Sequence, residues 1–161
     1  MAKSYLYTVL GAAAIAAVAS TAQAAIGSTV NVMLWDKGSA AAMVSDKGIG
    51  MTGDKTPMTM GVRLSTNYVK AGEVTFKVTN ATRETVHELV VFPYKDGENI
   101  PYSEKDAKIN EDSAGHLGEV SELEPSKSGE LKISLKPGKY ALLCNIPGHY
   151  MNGMWSILTV K

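Results

Sequence analysis

The C-terminal segment of the chain limits the possible folds more than any other part of the sequence. Two apolar stretches that favour β-structure, residues 139–145 and 155–161, flank a short loop with a Pro-Gly pair. Cys144, His149 and Met154 lie along this loop, with four residues between each and the next. Because the loop joins the ends of two adjacent strands, the three side chains can converge. The pattern predicts a β-rich fold that brings a thiol, an imidazole and a thioether together.

These three donors indicate a copper site. Thiolate, imidazole and thioether are soft or borderline donors, whereas magnesium and calcium demand oxygen ligands. Zinc usually takes four strong ligands, and methionine is not among them. Two histidines and one cysteine in a trigonal plane, with a weak axial methionine, form the blue copper pattern. We therefore expect one copper per chain, with Met154 favoured as the axial ligand because Met151 follows His149 by only two residues and would strain the loop.

The second histidine of such a site is His87 or His116, because the chain has only three histidines. His87 begins an apolar stretch, where a rigid strand would hold its ring. His116 lies in a loose acidic stretch and is expected to be an exposed surface histidine. The sequence favours the ligand set His87, Cys144, His149 and Met154.

The rest of the chain predicts an all-β sandwich of two sheets. Short apolar or alternating stretches are separated by turn residues, and no helical periodicity extends over a useful length. Pro137 and Gly138 indicate a tight turn, consistent with a hairpin between two of these strands. The candidate strands are residues 29–35, 74–80, 87–92, 130–135, 139–145 and 155–161.

Two stretches interrupt this pattern. Residues 37–60 are rich in glycine, serine, threonine and methionine, and are interpreted as a long loop with at most a short strand. Residues 96–124 are acidic; a helical turn is expected at 102–108, and the remainder is expected to be solvated loop or a surface that steers a basic partner. The nine acids of this stretch are Asp96, Glu98, Glu104, Asp106, Glu111, Asp112, Glu119, Glu122 and Glu124.

The first 24 residues have the features of a secretory signal peptide. Lys3 supplies a positive charge, residues 5–19 form an apolar run, and Ala22-Gln23-Ala24 is a small-x-small cleavage site. The apolar run is shorter than the ~20 residues that a spanning helix needs. The sequence predicts a cleaved leader over 1–24, a single domain over 25–161 without a membrane span, and a periplasmic location.

Charge and cysteine content exclude several function classes. The chain has 16 basic and 16 acidic residues, and removal of the leader takes away only Lys3. This balance argues against a nucleic-acid or anionic-membrane partner, which would favour a basic surface. Cys144 is the only cysteine, so no internal disulfide can form, and a lone thiol in an exported protein suggests a ligand or reactive group.

The segment from Cys144 to Trp155, with residues 69–80 and His87 upstream, resembles the cupredoxins, the family of type 1 blue copper proteins. The spacing is particularly similar to that of rusticyanin, auracyanin and sulfocyanin. The resemblance covers the chain loosely from the seventies to the C-terminus. It implies a Greek-key β-sandwich, one type 1 copper and outer-sphere transfer of single electrons. It also implies that the edge of His149 reaches through an apolar patch where redox partner proteins dock, such as a c-type cytochrome or an oxidoreductase.

Glu88 leaves two functions open. In electron carriers of this family the residue after the first histidine is often Asn or Ser, whereas exported copper-tolerance cupredoxins have a similar His-Glu pair. Glu88 can hydrogen-bond to the cysteine loop or lower the reduction potential. Electron transfer is the favoured function, and copper sequestration, delivery or tolerance is the alternative. An enzyme is not expected, because two of the three histidines are already assigned and further copper centres need more.

A second group of methionines bears on the same choice. Thioethers select Cu(I), so this group can form an auxiliary copper site, or it can fill irregular gaps in the fold. The second interpretation is favoured. The group consists of Met43, Met51, Met58 and Met60.

Overall fold

The structure is a computed structural model that describes residues 27–38 and 58–161. The expected leader over 1–24 therefore lies outside the described residues. So do Met43, Met51 and most of the expected long loop.

The described residues form eleven strands and one short helix. In chain order these are β1 (Ser28–Asp36), β2 (Met60–Leu64), β3 (Tyr68–Val69), β4 (Gly72–Asn80), β5 (His87–Tyr94), β6 (Tyr102–Ser103), β7 (Lys108–Ile109), α1 (Glu111–Ala114), β8 (Gly118–Leu123), β9 (Ser128–Leu135), β10 (Gly138–Leu143) and β11 (Trp155–Val160).

Two sheets form the expected sandwich. The first has the order β2-β1-β4-β9, and the second has the order β3-β11-β10-β5-β8. β1 pairs parallel with β4 and β3 pairs parallel with β11, whereas the other pairs are antiparallel. Several connections between consecutive strands, such as β2 to β3, β4 to β5, β8 to β9 and β9 to β10, cross between the sheets, as in a Greek-key sandwich. The predicted all-β fold class is confirmed, and all six predicted strands are present within a few residues of their expected ends.

The main core lies between the two sheets. Alternate residues of β1 and β4 are buried because successive side chains of a strand point to opposite faces. Burying each large aliphatic or aromatic side chain contributes about 1.5–3 kcal/mol. The core includes Val30, Val32, Leu34, Val74, Phe76 and Val78 from the first sheet, and Leu89, Val91, Leu142 and Leu158 from the second.

A second apolar cluster covers the outer face of the second sheet. β5 is buried on both faces: Leu89 and Val91 face the main core, while Val90 and Phe92 belong to the second cluster. Residues 95–117 supply the cover, chiefly through Ile100 and Ile109, which pack into this cluster. The acidic stretch thus buries the second face of β5.

The structure corrects two local expectations. Residues 102–108 form the hairpin β6–β7 and not a helical turn. The turn at Pro137 and Gly138 does not close a hairpin, because β9 lies in the first sheet and β10 in the second. The Tyr140 hydroxyl donates a hydrogen bond to the Lys136 carbonyl over 2.8 Å. This bond stabilises the connection from β9 in the first sheet to β10 in the second.

Among the described residues, no helix has the length and apolarity to cross a membrane.

Candidate metal centre

Strand ends bring the predicted ligands to one end of the sandwich. His87 is the first residue of β5, and Cys144 directly follows the last residue of β10. β5 and β10 are antiparallel neighbours, so the beginning of one lies beside the end of the other. His149 and Met154 lie on the loop between β10 and β11, which we call the ligand loop (residues 144–154).

Three buried donor atoms converge at this point. The Nδ1 atoms of His87 and His149 lie 3.2 Å apart, and Cys144 Sγ lies 3.8 Å and 3.3 Å from them, respectively. His87 and Cys144 are fully buried, and His149 is 7% exposed. The two imidazole rings meet edge to face, with centroids 4.9 Å apart. The structure therefore brings together all three strong donors that the sequence singled out.

The spacing and chemistry of these donors fit a copper ion. Three donors in a plane about 2.1 Å from a shared ion lie about 3.6 Å from one another, close to the observed separations. The set contains one sulfur, two imidazole nitrogens and no carboxylate, which favours copper over hard cations. One type 1 copper fits this site.

Met154 occupies the same side of the second sheet as Cys144. Both are fully buried members of the core between the sheets. Met151, the competing methionine, is half-buried and packs against the second apolar cluster on the opposite face. This difference supports Met154 as the candidate axial ligand.

Backbone hydrogen bonds fix the shape of the ligand loop. The Cys144 amide donates to the Met154 carbonyl over 3.0 Å, and the Met154 amide donates to the His149 carbonyl over 3.1 Å. The Gly148 amide donates to the carbonyl of Ala107 over 2.8 Å. The loop is thus tied to itself and to the segment that covers the second sheet, so the three donors on it keep their relative positions.

Glu88 makes two contacts with the start of the ligand loop. Its amide donates to Cys144 Sγ over 3.5 Å, and its Oε1 accepts from the Asn145 amide over 3.1 Å. Of the two effects that the sequence leaves open for Glu88, the structure shows the hydrogen bond to the cysteine loop. Burial raises the pKa of Glu88.

The protonation of the donors depends on burial. Burial raises the pKa of the Cys144 thiol to about 12, although the amides of Glu88 and Ile146 partly oppose this change. Burial also lowers the pKa of His149 to about 4, helped by the nearby His87. Without a cation the thiol keeps its proton and the imidazoles stay neutral, with lone pairs available. Binding of a metal ion replaces the thiol proton, since thiolate is the ligand form.

Asp36, which was not among the residues predicted from the sequence, holds the far side of the His87 ring. Its Oδ2 lies 3.3 Å from His87 Nε2, and both side chains are buried. Burial alone raises the pKa of Asp36, but hydrogen bonds from Thr85, the Gly38 amide and His87 outweigh it and lower that pKa. Burial lowers the pKa of His87 despite Asp36. Asp36 is the last residue of β1, just beyond the predicted strand 29–35 and 51 residues before His87, and no local pattern marks it.

The other residues that the sequence raised as candidates also have defined positions. His116 lies in an exposed loop outside the ligand cluster, as expected. Met60 is buried in the main core, and Met58 packs against Gly153 of the ligand loop. These positions favour gap-filling over an auxiliary copper site for these two methionines. Tyr150 and Trp155 are both buried in the second apolar cluster.

Comparison with known proteins agrees with this geometry. The sulfocyanin (SoxE) domain family matches residues 64–161, which include all four predicted ligands. No curated protein matches the sequence significantly.

Several solved structures share the fold. Auracyanin from Roseiflexus castenholzii is 15% identical, with a TM-score of 0.52, and the match covers 84% of this chain and 98% of that one. Auracyanin B is 21% identical, with a TM-score of 0.52 and coverage of 83% and 88%. Rusticyanin from Thiobacillus ferrooxidans is 17% identical, with a TM-score of 0.51 and coverage of 84% and 79%. On the family match, the chain belongs to the sulfocyanin (SoxE) domain family of the cupredoxins, the blue copper proteins.

Proposed function

We propose that this protein is a one-electron carrier whose single type 1 copper is held by His87, Cys144, His149 and Met154. The observation that carries the proposal is the convergence of three buried donors, 3.2 to 3.8 Å apart, at the ends of two adjacent strands. Rusticyanin, one of the structural neighbours, is described as a copper protein. We expect electron transfer without substrate chemistry, so the protein is not expected to be an enzyme.

The rigidity of the donors supports electron transfer over copper delivery. Copper, when bound, supplies the one-electron couple. Fast transfer needs ligands that hold one geometry in both oxidation states, and strand ends with a hydrogen-bonded loop provide this. A carrier that releases copper needs ligands that open easily. His87 and Cys144 are instead fully buried, which argues against delivery.

The exposed tip of the ligand loop is the proposed contact surface for redox partner proteins. Pro147 is exposed, Ile146 and Met151 are half-buried, and His149 is 7% exposed. Such a small apolar surface suits the brief encounters of electron transfer, whose interfaces are among the smallest specific ones. A c-type cytochrome or an oxidoreductase would dock here. We further propose that residues 25–161 act as a single domain in the periplasm after removal of residues 1–24.

Spectroscopy of the copper-loaded protein tests this proposal. With one equivalent of Cu²⁺ we expect an intense visible thiolate-to-copper band and the EPR signal of a type 1 site. Cys144→Ala should abolish the band, while His116→Ala is the matched control and should keep it. Reversible one-electron cycling and rapid electron exchange with a c-type cytochrome should follow.

Two outcomes would contradict the proposal. A band that persists in Cys144→Ala would show that Cys144 is not the thiolate ligand. Several copper ions per chain with slow cycling would favour sequestration, delivery or tolerance instead.

A further inference from the structure

A second group of metal-ligating side chains lies outside the copper centre. Glu111, His116 and Glu119 each offer one ligand atom, and these atoms all lie within 4.8 Å of one another. His116 Nε2 is 3.8 Å from Glu119 Oε2. The side chains of His116 and Glu119 are about one-third exposed, at 32% and 35%, so an ion can enter from solvent. The proposed electron transfer gives this group no role.

The backbone holds the first two of these residues together. Glu111 begins α1, which is capped at its C-terminal end by Gly115 in the left-handed conformation, with φ at 72°. The chain then turns back, so that the His116 amide donates to the Glu111 carbonyl over 3.1 Å. The Leu117 amide donates to the Val91 carbonyl over 3.0 Å and anchors the turn to β5. The separation of Glu111 and His116 is therefore set by main-chain bonds.

The third residue comes from the sheet itself. Glu119 lies on β8, in register with Val90 of β5. Its carboxylate therefore projects from a hydrogen-bonded strand and not from a loop. Ligands supplied by a strand and by an anchored turn lose little further freedom when an ion binds, which favours binding.

A buried amide orients the Glu111 carboxylate. Asn145 is 1% exposed, and its Nδ2 donates to Glu111 Oε1 over 2.7 Å. The same side chain is fixed by Ile109, whose amide donates to Asn145 Oδ1 over 2.6 Å. Asn145 directly follows Cys144, so the second group of side chains is joined to the ligand loop by one hydrogen bond.

The local charge favours a cation. The ligand oxygens of Glu111 and Glu119 lie within 4.8 Å of each other and of the His116 ring nitrogen. A divalent cation between the two carboxylates would relieve the repulsion of their charges.

We propose that Glu111, His116 and Glu119 form a second metal site, which binds a divalent transition-metal ion such as Zn²⁺. One imidazole and two carboxylates suit Zn²⁺, and three protein ligands leave a coordination position for water. The absence of sulfur among these three residues disfavours Cu(I), and their few oxygens disfavour Ca²⁺. The two sites therefore select different ions. A positive charge linked through Asn145 to the ligand loop would also favour Cu(I) over Cu(II) at the first site.

Zn²⁺ titration of the copper-loaded protein tests the inference. Copper occupies the first site, and its visible band reports that Zn²⁺ has not displaced it. By calorimetry we expect one Zn²⁺ per chain, with NMR shifts at the His116 ring and an increase in the reduction potential. His116→Ala and Glu119→Gln should each weaken Zn²⁺ binding by at least about 10-fold.

Glu122→Gln is the matched control, because Glu122 is an exposed acid on the same strand. It should bind Zn²⁺ as the wild type does. Binding that is lost in His116→Ala and retained in Glu122→Gln supports the site. An absence of saturable binding, or equal affinities in His116→Ala and Glu122→Gln, would overturn it. An unchanged visible band in each variant shows that the fold and the copper centre are intact.

Discussion

The Asp36 carboxylate contacts His87 through Nε2, the ring nitrogen remote from Cys144. Because Nδ1 faces the other donors, the proton of the neutral ring belongs on Nε2, where it can be donated to Asp36 Oδ2 at 3.3 Å. A carboxylate behind a ligand histidine fixes the tautomer and makes the ring a stronger donor. Asp36 is itself held by the Gly38 amide over 2.9 Å. It is therefore a positioning residue for the proposed copper centre.

Asp36→Asn tests this role while keeping the size of the side chain. We expect the reduction potential to rise, because a weaker histidine donor stabilises Cu(II) less. Copper affinity should fall by about 10- to 100-fold. Spectroelectrochemical titration and competition with a chelator measure the two effects. Asp96→Asn, which changes an exposed carboxylate paired with Lys139, is the control, and equal potentials in the two variants would remove Asp36 from this role.

Within the ligand loop, Gly153 satisfies two independent constraints. Its φ is +92°, in the left-handed region that favours glycine. A Cβ added there would lie 2.9 Å from Cγ of Met58, so no space exists for a side chain. Met58 lies outside the ligand loop and packs against Gly153, the residue before Met154. The loop conformation is thus set by its own backbone and by a contact from the chain segment before β2.

Gly153→Ala and Gly97→Ala separate these two constraints. Gly97 also has a positive φ, of +79°, but open space where a Cβ would lie. We expect Gly97→Ala to lower the free energy of unfolding by about 1 kcal/mol, and Gly153→Ala by about 2–4 kcal/mol because it adds a clash. Only Gly153→Ala should change the visible spectrum, since it displaces Met154.

Guanidinium unfolding and absorption of the copper-loaded variants measure both effects. The double variant Met58→Ala/Gly153→Ala should recover part of the lost stability, because the clash is removed. Equal stability losses at Gly97 and Gly153 would show that Met58 imposes no constraint on the loop.

At the scale of the whole molecule, the buried histidines make the metal-free fold sensitive to acid. The pKa of His149 is about 4 in the folded protein, below the ordinary value of 6.5, and that of His87 is also lowered. Between these values the unfolded chain binds more protons than the folded one. The free energy of unfolding therefore decreases as the pH falls from 6.5 towards 4. The raised pKa of Glu88 acts in the opposite direction.

Denaturation of the metal-free protein at pH 7 and pH 4.5 tests this dependence. We expect the wild type to lose stability at the lower pH, and His149→Gln to lose less, because glutamine does not titrate. Bound copper should raise the stability at both pH values, because the assembled site binds it more tightly than the unfolded chain does. Identical pH dependence in the wild type and His149→Gln would contradict the expectation.

Much of the proposed centre is determined by local sequence. Cys144, His149 and Met154 are separated by short intervals, so the chain itself keeps them near one another once two strands flank the loop. Alternating burial likewise follows from the two-residue period of a strand, which is why β1 and β4 were predicted correctly. His87 required one non-local inference, and its place at the start of an apolar strand supported it. The family resemblance rests on these same residues.

Tertiary structure alone decided the contacts between distant segments. Asp36 meets His87, and Asn145 meets Glu111, across 51 and 34 residues of chain. The Pro137-Gly138 turn connects the two sheets because β9, before it, pairs with β4 and β10, after it, pairs with β5. A local pattern reports which face of a strand is apolar, but not which segment covers it. The long-range partners depend on the packing of the whole sandwich, which no short stretch of sequence encodes.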